Sequence, residues 1–105
     1  MTIQPPSARV HLPLDALDSF CRKWRVQELA LFGSVLREDF SPESDVDVLV
    51  TFDPEAPWRL WNIIAMREEL EHLLGRRVDL VEKDAIRNPF RRREILRTCQ
   101  VIHAA

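Results

Sequence analysis

The apolar positions from Leu14 onward fall at Leu14, Leu17, Phe20, Cys21 and Trp24. Spacings of three and four residues predict a helix over about 14–25. Val26 to Phe32 then reads as a strand ending in the apolar run Ala30-Leu31-Phe32, and Gly33-Ser34 stops it. A short helix is expected over about 34–38, and the Ser-Pro step in 40–44 marks a loop. Val46 to Phe52 is β-branched and apolar apart from Asp47 and Thr51, which predicts a second strand. Asp53 to Pro57 carries two prolines and reads as a turn. The longest helix is expected over 58–74, with Leu60, Trp61, Ile63, Ile64, Leu70, Leu73 and Leu74 forming its inner stripe. Gly75 suits the position just past a helix end. Arg77 to Val81 predicts a third strand, Asn88-Pro89 opens a last helix over about 89–98, and Val101-Ile102 suits a short final strand.

Helix, strand, strand, helix, strand, helix is the pattern of an α/β domain: a small mixed β-sheet flanked by helices. The passage from strand 46–52 through helix 58–74 to strand 77–81 reads as a crossover unit, which places those two strands parallel and right-handed. The direction of the earlier strand pair stays open. Residues 1–13 hold three of the seven prolines and read as an irregular arm; 14–105 reads as one domain.

Composition changes this picture little. Of 105 residues, 46% are hydrophobic and 30% charged, ordinary values for a globular chain. The net charge of -2 gives no global electrostatic case for binding nucleic acid or a membrane surface. No apolar run reaches the ~18 residues of a membrane span, and the N-terminus lacks a secretory pattern. Cys21 and Cys99 fit no metal spacing and are expected as buried thiols, consistent with a reducing, cytoplasmic setting. Residues 87–97 hold five arginines against the single acid Glu94, so Arg91, Arg92, Arg93 and Arg97 form a basic patch suited to an acidic partner or to phosphates. Trp61 fits the core stripe and Trp58 sits nearer the turn, with its exposure left open; core packing is favoured over partner contact for the pair. His11, His72 and His103 are too scattered to suggest a site.

The chemistry concentrates in Leu31 to Val50, LFGSVLREDFSPESDVDVLV. Strand side chains alternate, so Asp45 and Asp47 point the same way, with Cα atoms about 6.6 Å apart. Val46, Val48 and Val50 then face a core. Two carboxylates on one face can share a hard divalent cation, Mg²⁺ or Mn²⁺. Asp79, at the centre of Arg77-Val-Asp-Leu-Val81, reaches the same point if its strand lies alongside. Three carboxylates on adjacent strands suit two-metal phosphoryl or nucleotidyl transfer. Gly33 lets a phosphate approach the backbone, Ser34 adds a donor at a helix start, and Arg37 lies one turn further on.

Gly33-Ser34, Arg37, Asp39-Phe40, Ser44-Asp45-Val46-Asp47, Leu49-Val50 and Phe52 together resemble the signature of the DNA polymerase beta-like nucleotidyltransferase superfamily. Gly75-Arg-Arg-Val-Asp-Leu-Val81 resembles its third-acid strand. The short length looks like the minimal nucleotidyltransferases, antitoxin partners of HEPN-domain ribonucleases. The resemblance covers about residues 14–102 and implies the polymerase beta-like nucleotidyltransferase fold. It also implies transfer of AMP from ATP to a tyrosine of a HEPN toxin, with Mg²⁺ or Mn²⁺ as cofactor. On it, Asp45 and Asp47 match the paired metal ligands and Asp79 the third acid. Gly33 and Ser34 match the phosphate-binding motif, and Arg37 the motif arginine. Glu38 stands where broader members carry glycine. The expected partners are a nucleoside triphosphate and the HEPN toxin, with no membrane and no direct nucleic-acid binding; homo- and hetero-oligomer both stay open. The chain has no tyrosine, so a tyrosine acceptor belongs to another protein. Rival readings are a module that blocks its toxin by occlusion and a small-molecule nucleotidyltransferase, whose relatives carry an extra helical domain.

Overall fold

The computed structural model describes residues 10–37, 41 and 43–104. Chain order is α1 (Leu14–Lys23), β1 (Val26–Phe32), a 3₁₀ turn (Gly33–Leu36), β2 (Val46–Phe52), α2 (Leu60–Leu74), β3 (Val78–Glu82), a second 3₁₀ turn (Lys83–Ala85), α3 (Pro89–Thr98) and β4 (Gln100–Ala104). The four strands form one mixed sheet in the order β3-β2-β1-β4. β2 and β3 are parallel, as the crossover pattern predicts. The open strand pair, β1 and β2, is antiparallel. The short strand expected at 101–102 is a full edge strand, antiparallel to β1.

Local chemistry accounts for the helix ends. In α1, Asp15 stands in the first turn and Arg22 and Lys23 in the last, each sign complementing the helix dipole. α2 stops at Gly75, whose φ of 66° is left-handed and whose N–H reaches the Glu71 carbonyl at 2.8 Å. α3 starts at Asn88, whose side chain accepts hydrogen bonds from the Phe90 and Arg91 N–H groups, with Pro89 at the first helical position.

Strand alternation divides the interior in two. Leu29, Leu31, Val46, Val48, Val50, Val78 and Ile102 face α1 and α2 and pack with Leu17, Phe20, Cys21, Met66, Leu70 and Leu74. Ala30, Phe32 and Leu49 face the other way and pack under Ile86 and the α3 residue Ile95. The valines of β2 therefore face a core as expected. The opposite side of the same strand carries Asp47 toward the α3 side.

The inner stripe of α2 differs from the expected one. The helix begins at Leu60, and its buried residues are Met66, Leu70 and Leu74. Leu60 is 72% exposed and Trp61 65%; Ile64 is also exposed. With 3.6 residues per turn, Trp61 lies about 140° around the helix from Met66, so it cannot share that stripe. Trp58 precedes the helix and is the packed one. Its ring meets Trp24 edge-to-face at 5.1 Å, and its Nε1–H donates to the Trp24 carbonyl at 2.7 Å.

Of the expected buried thiols, Cys21 is buried, which pushes its pKa up to about 12. Cys99 caps the end of α3 and is only half-buried. Of the N-terminal arm, residues 1–9 lie outside the described residues, while Val10 and Leu12 pack on the core. The helix expected over 34–38 is a 3₁₀ turn ending at Leu36. Glu38, Asp39, Phe40 and Pro42 lie outside the described residues. Among the described residues no helix is long and apolar enough to cross a membrane.

Candidate active site

Three strand ends meet on the α3 face of the sheet. β1 finishes at Phe32, which stands opposite Asp47 in the antiparallel ladder. Asp47 stands beside Asp79 in the parallel ladder. Paired residues on neighbouring strands sit about 4.8 Å apart with side chains on one face, so Asp47 and Asp79 project together. The sheet order puts Gly33 on the β1 side of Asp47 and Asp79 on its β3 side.

Gly33 is where the chain leaves β1, at a φ of +74°. A Cβ there would lie 2.2 Å from Asp47 Oδ2, so the carboxylate occupies the space a side chain would need. Both the backbone conformation and the close approach call for glycine. The turn is closed by the Arg37 N–H on the Ser34 carbonyl at 2.9 Å, with Ser34 half-buried.

Asp45 departs from the expected placement inside the strand. It precedes β2 by one residue, is exposed, and forms an ion pair with Arg77 Nε at 3.1 Å. Arg76 and Arg77 hold the segment before β2. Arg76 Nη2 donates to the Ser41 and Ser44 carbonyls at 2.6 and 3.0 Å, and Arg77 Nη2 to the Glu43 carbonyl at 2.9 Å. The Val46 N–H reaches the Arg77 carbonyl at 2.8 Å. The start of β3 thus tethers the approach to β2.

The acids nevertheless act on one another. Partial burial, followed by the charges of Asp79 and Asp45, holds the Asp47 carboxyl above the usual range; Arg37 and Arg91 pull it back. Among the described residues no three His, Cys, Asp or Glu side chains are gathered around a single metal position. Asp45 is paired with Arg77. The donor chemistry fits a hard divalent cation: carboxylate oxygens only, with like charges crowding Asp47 that such an ion would neutralise.

Beside Gly33 a cavity of about 490 Å³ opens under α3, with Phe32, Leu36 and Ile95 as apolar lining and Arg37 and Arg91 as cations. Arg91 is the site residue that sequence reasoning left in a general basic patch. The structure divides that patch. Arg92 donates to the Lys83 carbonyl, Arg97 grips Glu94 at 2.8 Å, and Arg93 is exposed. Only the fold of α3 across the sheet picks out Arg91, and no local signal in the sequence does so.

Comparison with known proteins gives the family and the fold. The model of the nucleotidyltransferase domain family matches residues 15–102, and the chain belongs to that family. Its fold is that of a solved structure described as a minimal nucleotidyltransferase, at 32% identity and a TM-score of 0.67, covering 86% of this chain and 87% of that one. Among curated relatives, the protein adenylyltransferase MntA of Thermococcus cleftensis is 44% identical over 66 residues, 63% of this chain and 65% of its own. A Methanocaldococcus jannaschii protein, whose name places it with the protein adenylyltransferases, is 38% identical over 73 residues, 70% of this chain and 73% of its own. A toxin-antitoxin structure with AMP-PNP shares the fold at a TM-score of 0.66 and 21% identity, over 90% of this chain and 75% of that one.

Proposed function

We propose that this nucleotidyltransferase is an antitoxin that transfers AMP from ATP to a hydroxyl, a tyrosine's by preference, of a partner HEPN ribonuclease toxin, and so neutralises it. The observation that carries the reading is Asp47, flanked by Gly33 on one side and Asp79 on the other. Phosphate and acceptor then approach the central acid from opposite sides. Relatives named protein adenylyltransferases support a protein acceptor. The toxin-antitoxin structures that share the fold, one of them an MntA-HepT pair, support a toxin as partner.

In this reading Gly33, Ser34 and Arg37 hold the triphosphate. The acceptor oxygen bonds to the α-phosphorus as the bond from that phosphorus to the bridging oxygen breaks. Pyrophosphate leaves with the electron pair, and the hydroxyl proton passes to Asp79, which is exposed on the acceptor side. Asp45, Asp47 and Asp79 would hold Mg²⁺ or Mn²⁺, which supplies Lewis-acid polarisation of the reacting oxygens when bound. Because the chain has no tyrosine, tyrosine labelling would have to appear on another protein.

The Asp45–Arg77 ion pair favours one second reading, a toxin-binding module that acts by occlusion. The test is incubation with co-purified partner and ATP carrying label at either the α- or the γ-phosphate, beside an Asp45→Asn, Asp47→Asn double variant. Transfer of the α-label alone, abolished in the variant, supports catalysis. Silencing of the partner without any label transfer leaves occlusion.

A further inference from the structure

The cavity under α3 contains a second cation that the motif does not account for. Arg37 belongs to the motif segment after Gly33, whereas Arg91 comes from a helix more than fifty residues later and lines the same cavity. Both side chains lie close enough to act on the charge of Asp47. Among the described residues the Arg91 guanidinium makes no ion pair and no hydrogen bond. Its neighbours Arg92 and Arg97 are engaged. Nor does α3 explain it, because a cation in the first turn of a helix opposes the helix dipole. An arginine left unpaired beside a carboxylate cluster, in a cavity continuous with a phosphate-approach glycine, has the chemistry to take a polyanion bidentately.

We propose that Arg91 binds the β- and γ-phosphates of the nucleotide in the cavity it shares with Gly33 and Arg37, and neutralises the pyrophosphate as it leaves. This rests on the nucleotidyltransferase reading of the site. It adds a positioning residue that no motif carries, and it makes the triphosphate, rather than the base, the main source of nucleotide affinity. Charge on the leaving pyrophosphate grows as the bond to the α-phosphorus breaks, so Arg91 also acts on the rate of transfer.

The test compares Arg91→Gln, Arg91→Lys and Arg93→Gln with the wild-type chain, each checked for folding by circular dichroism. Binding of ATP and of AMP is measured by calorimetry, with inorganic triphosphate as a competing probe. Transfer of α-labelled AMP to the partner is followed alongside. Arg91→Gln is expected to weaken ATP and inorganic triphosphate roughly 10- to 100-fold, the effect of losing one or two charge-assisted contacts. AMP should change less than about threefold and the transfer rate should fall, because AMP lacks the groups that Arg91 holds. Arg91→Lys should recover part of the loss, and Arg93→Gln should match the wild type. The proposal is overturned if Arg91→Gln binds ATP as the wild type does, if ATP and AMP weaken alike, or if Arg93→Gln weakens ATP equally. A wild-type chain that transfers no α-label brings down the nucleotidyltransferase reading itself, and Arg91 with it. Wild-type transfer unaltered in Arg91→Gln removes Arg91 alone.

Discussion

Asp47 Oδ2 lies 2.2 Å from the point where a Cβ on Gly33 would stand. The central acid and the phosphate-approach turn are therefore one steric unit, and Gly33→Ala is expected to displace the carboxylate as well as strain the backbone. Gly75 is the natural control. Its φ is also positive, at 66°, but nothing lies within 4 Å of its missing Cβ. Gly75→Ala should lower unfolding stability by about 1–2 kcal/mol, the strain of a left-handed alanine, and leave nucleotide transfer intact. Gly33→Ala should abolish transfer. Denaturant unfolding and the α-label assay on both variants check the contrast, and transfer-competent Gly33→Ala would refute it.

Asp47→Asn should separate activity from stability. Loss of this ligand is expected to reduce transfer by about 10²-fold or more. The fold should nevertheless become more stable, because Asp47 is ionised against burial and against the charges of Asp79 and Asp45. A folded-state pKa raised above the unfolded value means that the native chain holds this proton more tightly. The stabilisation is complete below the unfolded value and is lost as pH rises through the raised folded one. The wild type should thus lose stability relative to Asp47→Asn on going from about pH 4, near the ordinary carboxylate value, to pH 7. Urea unfolding across that range decides the matter; parallel pH profiles would contradict the electrostatic account.

Arg77 is a tethered counter-ion to Asp45, at 3.1 Å, and both side chains are largely exposed. Exposed pairs contribute about 0–1 kcal/mol, so Arg77→Ala should alter stability by no more than that. A cation taken up by Asp45 competes with this guanidinium, and the variant should reach half-maximal transfer at a lower Mg²⁺ or Mn²⁺ concentration. A higher requirement would mean that the hydrogen bond from Arg77 to the Glu43 carbonyl matters more than the competition.

Within α2, Leu70→Ala should destabilise by about 2–5 kcal/mol, as expected for a buried leucine. Trp61→Ala, at an exposed position, should stay within about 0.5 kcal/mol of the wild type. Thermal unfolding of the two variants measures the difference.

These residues mark what the sequence could and could not convey. Strand alternation separates Asp47 from the valines of β2, whereas Asp45, one residue before the strand, lies beyond its reach. The parallel β2–β3 pair, and with it the Asp47–Asp79 adjacency, followed from the crossover between them. In α2 the seven apolar candidates exceed one helix face; tertiary packing keeps Leu70 and Leu74 and adds Met66, which lay outside the expected stripe. Trp58 precedes the helix, where helical periodicity does not set side-chain direction, and its packing against Trp24 comes from a distant segment. The β1–β2 direction, the pairing of Asp45 with Arg77 and the arrival of Arg91 depend on contacts between distant segments, which local pattern does not encode.

The three tryptophans consequently give the chain two separate optical probes. Trp24 and Trp58 share an edge-to-face contact and have both indole N–H groups hydrogen-bonded, so their emission should report the integrity of the packed interior. Trp61 stands in solvent on the far side of α2, and the chain has no tyrosine to add its own signal. A surface quencher should therefore act most strongly on Trp61, and could follow any covering of that helix face, while the half-buried pair responds less until the fold is lost.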